Sequence, residues 1–203
     1  MESLEKNTEE LIMDAASKVF LEKGYDGARM QEIAEVAGIN KALVHYYYRS
    51  KDKLFENIFK TAFKLFAPKL QDVIETNMPL EQKLTVFAET YIDFLIKNPL
   101  LPGFILHELS RKSETIPNLL ASSIIKPQAI IDSIQAEIDA GNIRPIDPKQ
   151  LIANIIGLCI FPIVAKPILL VLLFNNNVEE YNNFLLARKK LVPQFIMDTI
   201  KIQ

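Results

Sequence analysis

Between Gly38 and Lys53 four basic side chains, Lys41, Arg49, Lys51 and Lys53, are set against one acid, Asp52. His45 and three consecutive tyrosines, Tyr46, Tyr47 and Tyr48, lie among them. Cations and hydroxyls in this mixture suit phosphate oxygens and the edges of bases. The charge is local. Residues 1–28 carry three lysines against seven acids, and the whole chain of 203 residues has a net charge of -2 and a pI near 5.8. A small positive face on an acidic body orients a protein on phosphates while limiting loose binding. Other chemistry is poorly served. There are two histidines, and no His-Glu-x-x-His, Gly-rich phosphate loop or nucleophile motif occurs. No enzyme, catalytic residue, metal site or cofactor is therefore expected. Cys159 is the single cysteine, so neither an intrachain disulfide nor a cysteine-based metal site can form.

These residues need rigid support, and the pattern that supplies it is helical throughout. All eleven prolines lie between Pro68 and Pro193, so the first 67 residues read as a compact proline-free unit. A first helix is predicted over 8–23, with Thr8 as N-cap and Glu9 and Glu10 favouring its dipole. Leu11, Ala15 and Val19, with Ile12, Ala16 and Phe20, form one apolar stripe. Gly24 suits the left-handed position after it. A second helix over 30–37 offers Met30, Ile33, Ala34 and Ala37 to the same core, Gly38 makes a sharp turn, and Ile39 plugs the gap. Asn40 caps a third helix in which Val44 and Tyr48 point inward. Ala42 and Tyr46 then lie on the opposite face, with Lys41 and His45 at one flank and Leu43 at the other. Ser50 caps a fourth helix from Lys51, bent or interrupted at Pro68. Further helices are predicted over 80–98, 102–112, 117–140, 148–174 and 177–202, about nine in all.

In residues 8–60 these features resemble the N-terminal domain of the TetR family of bacterial transcriptional regulators. The resemblance rests on Ala15-Ala16 with Phe20 and Gly24-Tyr25, on Ile33-Ala34, and on Ala37-Gly38-Ile39-Asn40-Lys41. It continues through His45-Tyr46-Tyr47-Tyr48 and Ser50-Lys51-Asp52-Lys53-Leu54. It implies an all-α fold: a three-helix helix-turn-helix DNA-binding domain over 1–50, with the start of helix four to about 60. A helical ligand-binding and dimerisation domain over 51–203 would follow. By position, Lys41, Ala42, His45 and Tyr46 then meet base edges, beside the capping Asn40. The resemblance implies a phosphate contact at Tyr47. Lys51 is expected to do the same, aided by the free N–H groups opening the fourth helix. Arg29 stands where the family commonly has a capping Ser or Thr, and is expected to reach a phosphate instead. Leu43 and His45 also depart from the family pattern, which bears on the operator sequence.

The last two thirds resembles the family only in length and helical pattern. The resemblance implies a small-molecule inducer site there, for which Phe63, Phe66, Phe87, Tyr91, Phe94, Phe104, His107 and Phe161 are candidate lining residues. Residues 151–174 and the last helix, with Tyr181, Phe184, Leu185, Leu191, Phe195 and Ile196, are apolar enough to build a homodimer through the last two helices. Twofold symmetry implies a near-palindromic duplex as partner. Asn154, Pro162, Lys166 and Pro167 interrupt the apolar run, so no membrane span is expected. The acidic N-terminus lacks a signal-peptide core, which reads as cytoplasmic. The leading expectation is a repressor released by an apolar or amphipathic ligand. The alternative is a DNA-bound adaptor whose C-terminal body binds a protein partner.

Overall fold

The computed structural model describes residues 2–110, 114, 117–118 and 121–202, with side chains other than those of 2–7, 104, 108 and 109. Among these residues there are ten helices and no strand. The chain sorts into two compact units. One comprises 1–64 together with 98–121, the other 65–97 together with 122–203.

The first unit holds α1 (Glu2–Gly27), α2 (Met30–Ala37), α3 (Lys41–Tyr48), the first half of α4 (Lys51–Glu75) and α6 (Leu101–Ser110). Helix α1 starts at Glu2, so Thr8 lies inside it and does not cap it. Residues 2–7 contain no proline or glycine to stop the helix growing backwards. The expected end at Lys23 appears as a kink at Gly24, with φ +69°, a region open to glycine without steric cost. Ile12, Ala15, Ala16, Val19 and Phe20 are buried, whereas Leu11 is exposed. Leu11 sits roughly 100° around the helix from Ile12, off the buried stripe. Gly38 closes α2 with φ +68°, its N–H bonding back into the helix.

The second unit holds the rest of α4, then α5 (Leu80–Lys97), α7 (Pro127–Asp139), α8 (Pro148–Val164), α9 (Lys166–Phe174) and α10 (Val178–Ile200). Leu80, Leu84, Ile134, Leu151, Ile155, Ile196 and Ile200 share one core, and Ala88, Ile92, Cys159 and Val192 continue it. Helix α4 is not interrupted at Pro68. Two expectations fail here. The helix expected over 117–140 is not continuous, since 122–126 are non-helical and α7 opens with Pro127 in its first turn, where the missing N–H costs nothing. The helix expected over 148–174 breaks at Ala165 into two pieces bent by 77°. Pro167 has no N–H for the Ile163 carbonyl, which ends the ladder, and the Tyr181 hydroxyl donates to the freed Pro162 carbonyl at 2.8 Å. Among the described residues no single helix is long and apolar enough to cross a membrane. The α8–α9 pair passes that test only together, across its bend.

Cys159 is buried in the α5–α8–α10 core, and burial pushes its thiol up to about 11 despite the nearby Arg188 guanidinium. A raised value favours the protonated thiol in the folded state. Its contribution to stability is complete below the ordinary value of 9.0 and is lost as pH rises through about 11. Native protein at pH 8 is therefore expected to resist iodoacetamide while urea-unfolded protein reacts fully, as mass spectrometry would show. Equal labelling of both states would contradict the buried placement.

Candidate nucleic-acid interface

Helix α3 is short, and its two sides differ. Val44 and Tyr48 are buried on one side, at the i, i+4 spacing that stacks side chains on one face. Burial, with the Glu9 carboxylate adding to it, holds the Tyr48 phenol well above its usual range. On the other side Lys41, Ala42, His45 and Tyr46 are exposed, Tyr46 to 74%. Tyr47 is half-buried and meets the Tyr46 ring edge-on, with centroids 5.4 Å apart. Asn40 caps the helix, its side-chain oxygen accepting from the Ala42 N–H at 2.9 Å. That bond orients the first turn and occupies one acceptor of Asn40. The His45 ring Nδ1 lies 3.3 Å from the Arg49 carbonyl. Leu43, at 37% exposure, sits at the edge of this surface.

Arg29 is the N-cap residue of α2, extended in backbone and without a side-chain capping bond, as expected of a guanidinium, which has donors only. Its side chain is exposed. Helix α2 is secured from its other flank by an ion pair between Glu32 and Lys23. At the opening of α4 the Ser50 hydroxyl accepts from the Lys53 N–H at 3.2 Å. Lys53 and Lys60 both pair with Glu56. Burial opposes ionisation of Glu56, but the hydrogen bonds from Lys53 and Lys60 outweigh it and lower its pKa.

Lys51, expected at a phosphate, is held here by main-chain oxygens of its own unit. Its ammonium donates to the carbonyls of Tyr25 at 2.7 Å and Ala28 at 3.2 Å, lies 3.4 Å from that of Asp26, and sits 4.3 Å from the centre of the Tyr25 ring. Sequence reading missed these acceptors because they lie 23–26 positions earlier in the chain and are backbone atoms, which side-chain types cannot reveal.

Four of the eight residues expected around an effector, Phe66, Phe87, Tyr91 and Phe94, lie together in the second unit. In the second unit Phe66 stacks on Phe94 at 4.2 Å and lies 5.7 Å from Tyr91, which lies 5.4 Å from Phe87. Burial drives the Tyr91 phenol upward. Phe161, in contrast, is 62% exposed, because the buried stripe of α8 runs through Leu151, Ile155, Cys159 and Pro162 and passes it by. Phe63 and His107 belong to the first unit, where Phe63 stacks on Phe59 and His107 lies 4.3 Å from Tyr25. The Phe104 side chain is outside the described residues. An open hollow of about 500 Å³ lies in the second unit, bordered by Met78, Pro79, Leu80, Glu137, Asn142 and Met197. None of the seven expected residues with described side chains borders it.

Two short helices joined at a left-handed glycine, the second capped by Asn40 and exposing cations and a tyrosine, define a helix-turn-helix DNA-binding head. Residues 12–58 match the family described as bacterial regulatory proteins, tetR family. The HTH-type transcriptional regulator YhgD of Bacillus subtilis is 23% identical over 68% of this chain and 73% of its own length. The HTH-type transcriptional repressor NicS of Pseudomonas putida is 27% identical over 64% of each chain, so the alignment spans less than two thirds of that relative. The fatty acid degradation regulator FadR from Bacillus halodurans superposes with a TM-score of 0.67 at 19% identity, covering 93% of both chains. FadR from Bacillus subtilis, solved with stearoyl-CoA, gives 0.64 at 18% identity over 90% of this chain and 96% of its own. Residues 12–58 thus form a DNA-binding domain of the kind found in the TetR family of bacterial transcriptional regulators, and the relatives and fold neighbours are themselves regulators.

Proposed function

We propose that this protein is a transcriptional repressor that binds a near-palindromic operator as a homodimer and leaves it when a small apolar or amphipathic effector binds. The observation that carries this reading is the outward side of α3. Lys41, Ala42, His45 and Tyr46 are exposed together while Val44 and Tyr48 anchor the helix from behind. In a major groove that side meets base edges, with Ala42 small enough for close approach to a thymine methyl. Tyr47 and Arg29 flank it as phosphate ligands. Work on chromosomal DNA places the protein in the cytoplasm.

A second copy is the natural cover for the outer surface of α8, α9 and α10. Ile168, Val171 and Leu172 of α9 are exposed at helical spacing, Leu172 to 72%, and Leu191 and Phe195 of α10 are exposed as well. Tyr181, Leu185 and Ile196, also expected at the interface, are buried within the unit and hold α10 in place. So much apolar surface left in water marks an association face. The effector is assigned to the aromatic run Phe66–Phe94–Tyr91–Phe87, which an alkyl or ring-bearing ligand would enter by parting the rings. One relative in fold holds stearoyl-CoA, a ligand of that amphipathic type.

The exposed side of α9 also favours the second reading, an adaptor that binds a protein partner there and takes no effector. Native mass spectrometry separates the two, since a retained small molecule supports the repressor and a bare dimer supports the adaptor. The DNA-binding reading itself is tested by selecting duplexes from a randomised library. Enrichment of a palindrome with half-sites about one helical turn apart, or slightly more, is the expected result. Recovery of no enriched sequence at low salt would overturn it.

A further inference from the structure

We propose that Arg188 anchors the charged end of the effector, and that the effector is therefore a carboxylate-bearing amphiphile. The proposal rests on the effector site read above and names the chemistry that site selects. Arg188 lies on α10 in line with Tyr181, Leu185, Val192 and Ile196, at the spacing of one helical stripe, and those four are buried. Its Nη2 donates to the Leu158 carbonyl at 2.7 Å. That carbonyl is available because the residue four positions on is Pro162, which has no N–H to offer within α8. The guanidinium also lies 5.5 Å from the centre of the Phe184 ring. It is thus held in place by one corner and one face.

Its Nε is buried and meets no hydrogen-bond acceptor. Among the described residues Arg188 takes part in no ion pair, and Asp93, the carboxylate facing the next position of α10, is taken by Lys189. Burial lowers the guanidinium's pKa, and the titratable group that faces it is the Cys159 thiol, not a carboxylate. A buried cationic donor without an acceptor is costly, and native structures leave few of them. The donor calls for an anion that the unit's own side chains do not supply. Nε is enclosed by this unit, so a carboxylate on the surface of a second copy does not reach it, and the anion comes through the interior.

The interior beside it is the aromatic site. Leu158, whose carbonyl holds the guanidinium, packs with Phe87 and Tyr91 on the cluster that contains Cys159, and Tyr91 lies 5.7 Å from Phe66. Rings and aliphatic chains therefore lead to a fixed cation. A planar guanidinium matches a carboxylate, whose two oxygens take Nε–H and a second N–H in parallel. The apolar tail is left to the rings. A neutral molecule of the same shape would suit the rings and leave Nε as it is.

Decanoate and decanol share a tail and differ in the head, which makes them the probes. Calorimetric titration of the full-length wild type is expected to show decanoate binding about tenfold or more tighter than decanol, the scale of one charge-assisted contact. Arg188→Gln keeps an N–H for the Leu158 carbonyl but carries no charge. It should bind both probes alike and sediment as the wild type does. A second reading uses the wild type with isotope-labelled arginine: the Nε–H resonance that Arg188→Lys removes should move on adding decanoate and stay still with decanol. A guanidinium that only fills the Leu158 carbonyl behaves otherwise, since its substitution would shift the unfolding midpoint and leave the ratio between probes untouched. That result overturns the anchor, as does a wild type that binds both probes equally or an Nε–H that decanoate does not move. Each of these leaves the aromatic site standing. Binding of neither probe overturns the anchor and the site together.

Discussion

Introducing glutamate at both Leu191 and Phe195 is expected to leave a monomer at micromolar concentration in sedimentation, with operator affinity reduced by about 10²–10⁴-fold. The two side chains are mostly exposed on α10, so their replacement removes little packing within the unit. Carboxylates in their place make burial against a second copy costly. The loss on DNA follows because each head alone binds its half-site without the second already tethered nearby. Far-ultraviolet circular dichroism and the unfolding midpoint should stay close to the wild type. A dimer that survives both substitutions would remove this surface as the interface.

Tyr46→Ala is expected to reduce discrimination between the selected operator and point-substituted operators by about 1–3 kcal/mol, with little change on random duplex. Tyr46 is the most exposed aromatic of α3, so truncating it tests recognition with little effect on folding. The contrast is Tyr48→Ala, which should destabilise the protein by about 3 kcal/mol or more, because a buried ring leaves a cavity. Lys41→Ala should follow Tyr46→Ala in discrimination. If Tyr46→Ala binds every operator variant as the wild type does, α3 does not read bases through this side.

Local patterns in the sequence carried the head. Asn40 before a short amphipathic run, Gly38 two residues earlier and Val44 four before Tyr48 specify α3, its cap and its orientation through interactions within one or two turns. The family resemblance added the class of the domain, because many small matches fall in register over residues 8–60. Where packing from afar decides, the reading failed. The break at Ala165 needed Pro167 to count for more than the unbroken apolar run. Pro127 marks a helix start in the middle of a region that reads as helical from 117 to 140. Phe161 has the composition of a pocket residue but the wrong phase on α8. The acceptors of Lys51 are main-chain oxygens, and no residue type at 25, 26 or 28 announces them.

The head is also assembled out of chain order. Residues 98–121 belong with 1–64, while 65–97 belong to the other unit. During synthesis the first 64 residues emerge well before α6, and until it arrives Tyr25 has no imidazole against its ring. A nascent chain therefore finishes this head only after residues 65–97 of the second unit have already been made. Proteolytic fragments ending near Lys64 inherit the same deficit permanently: they keep the helix-turn-helix and lose a wall of the room those helices stand in.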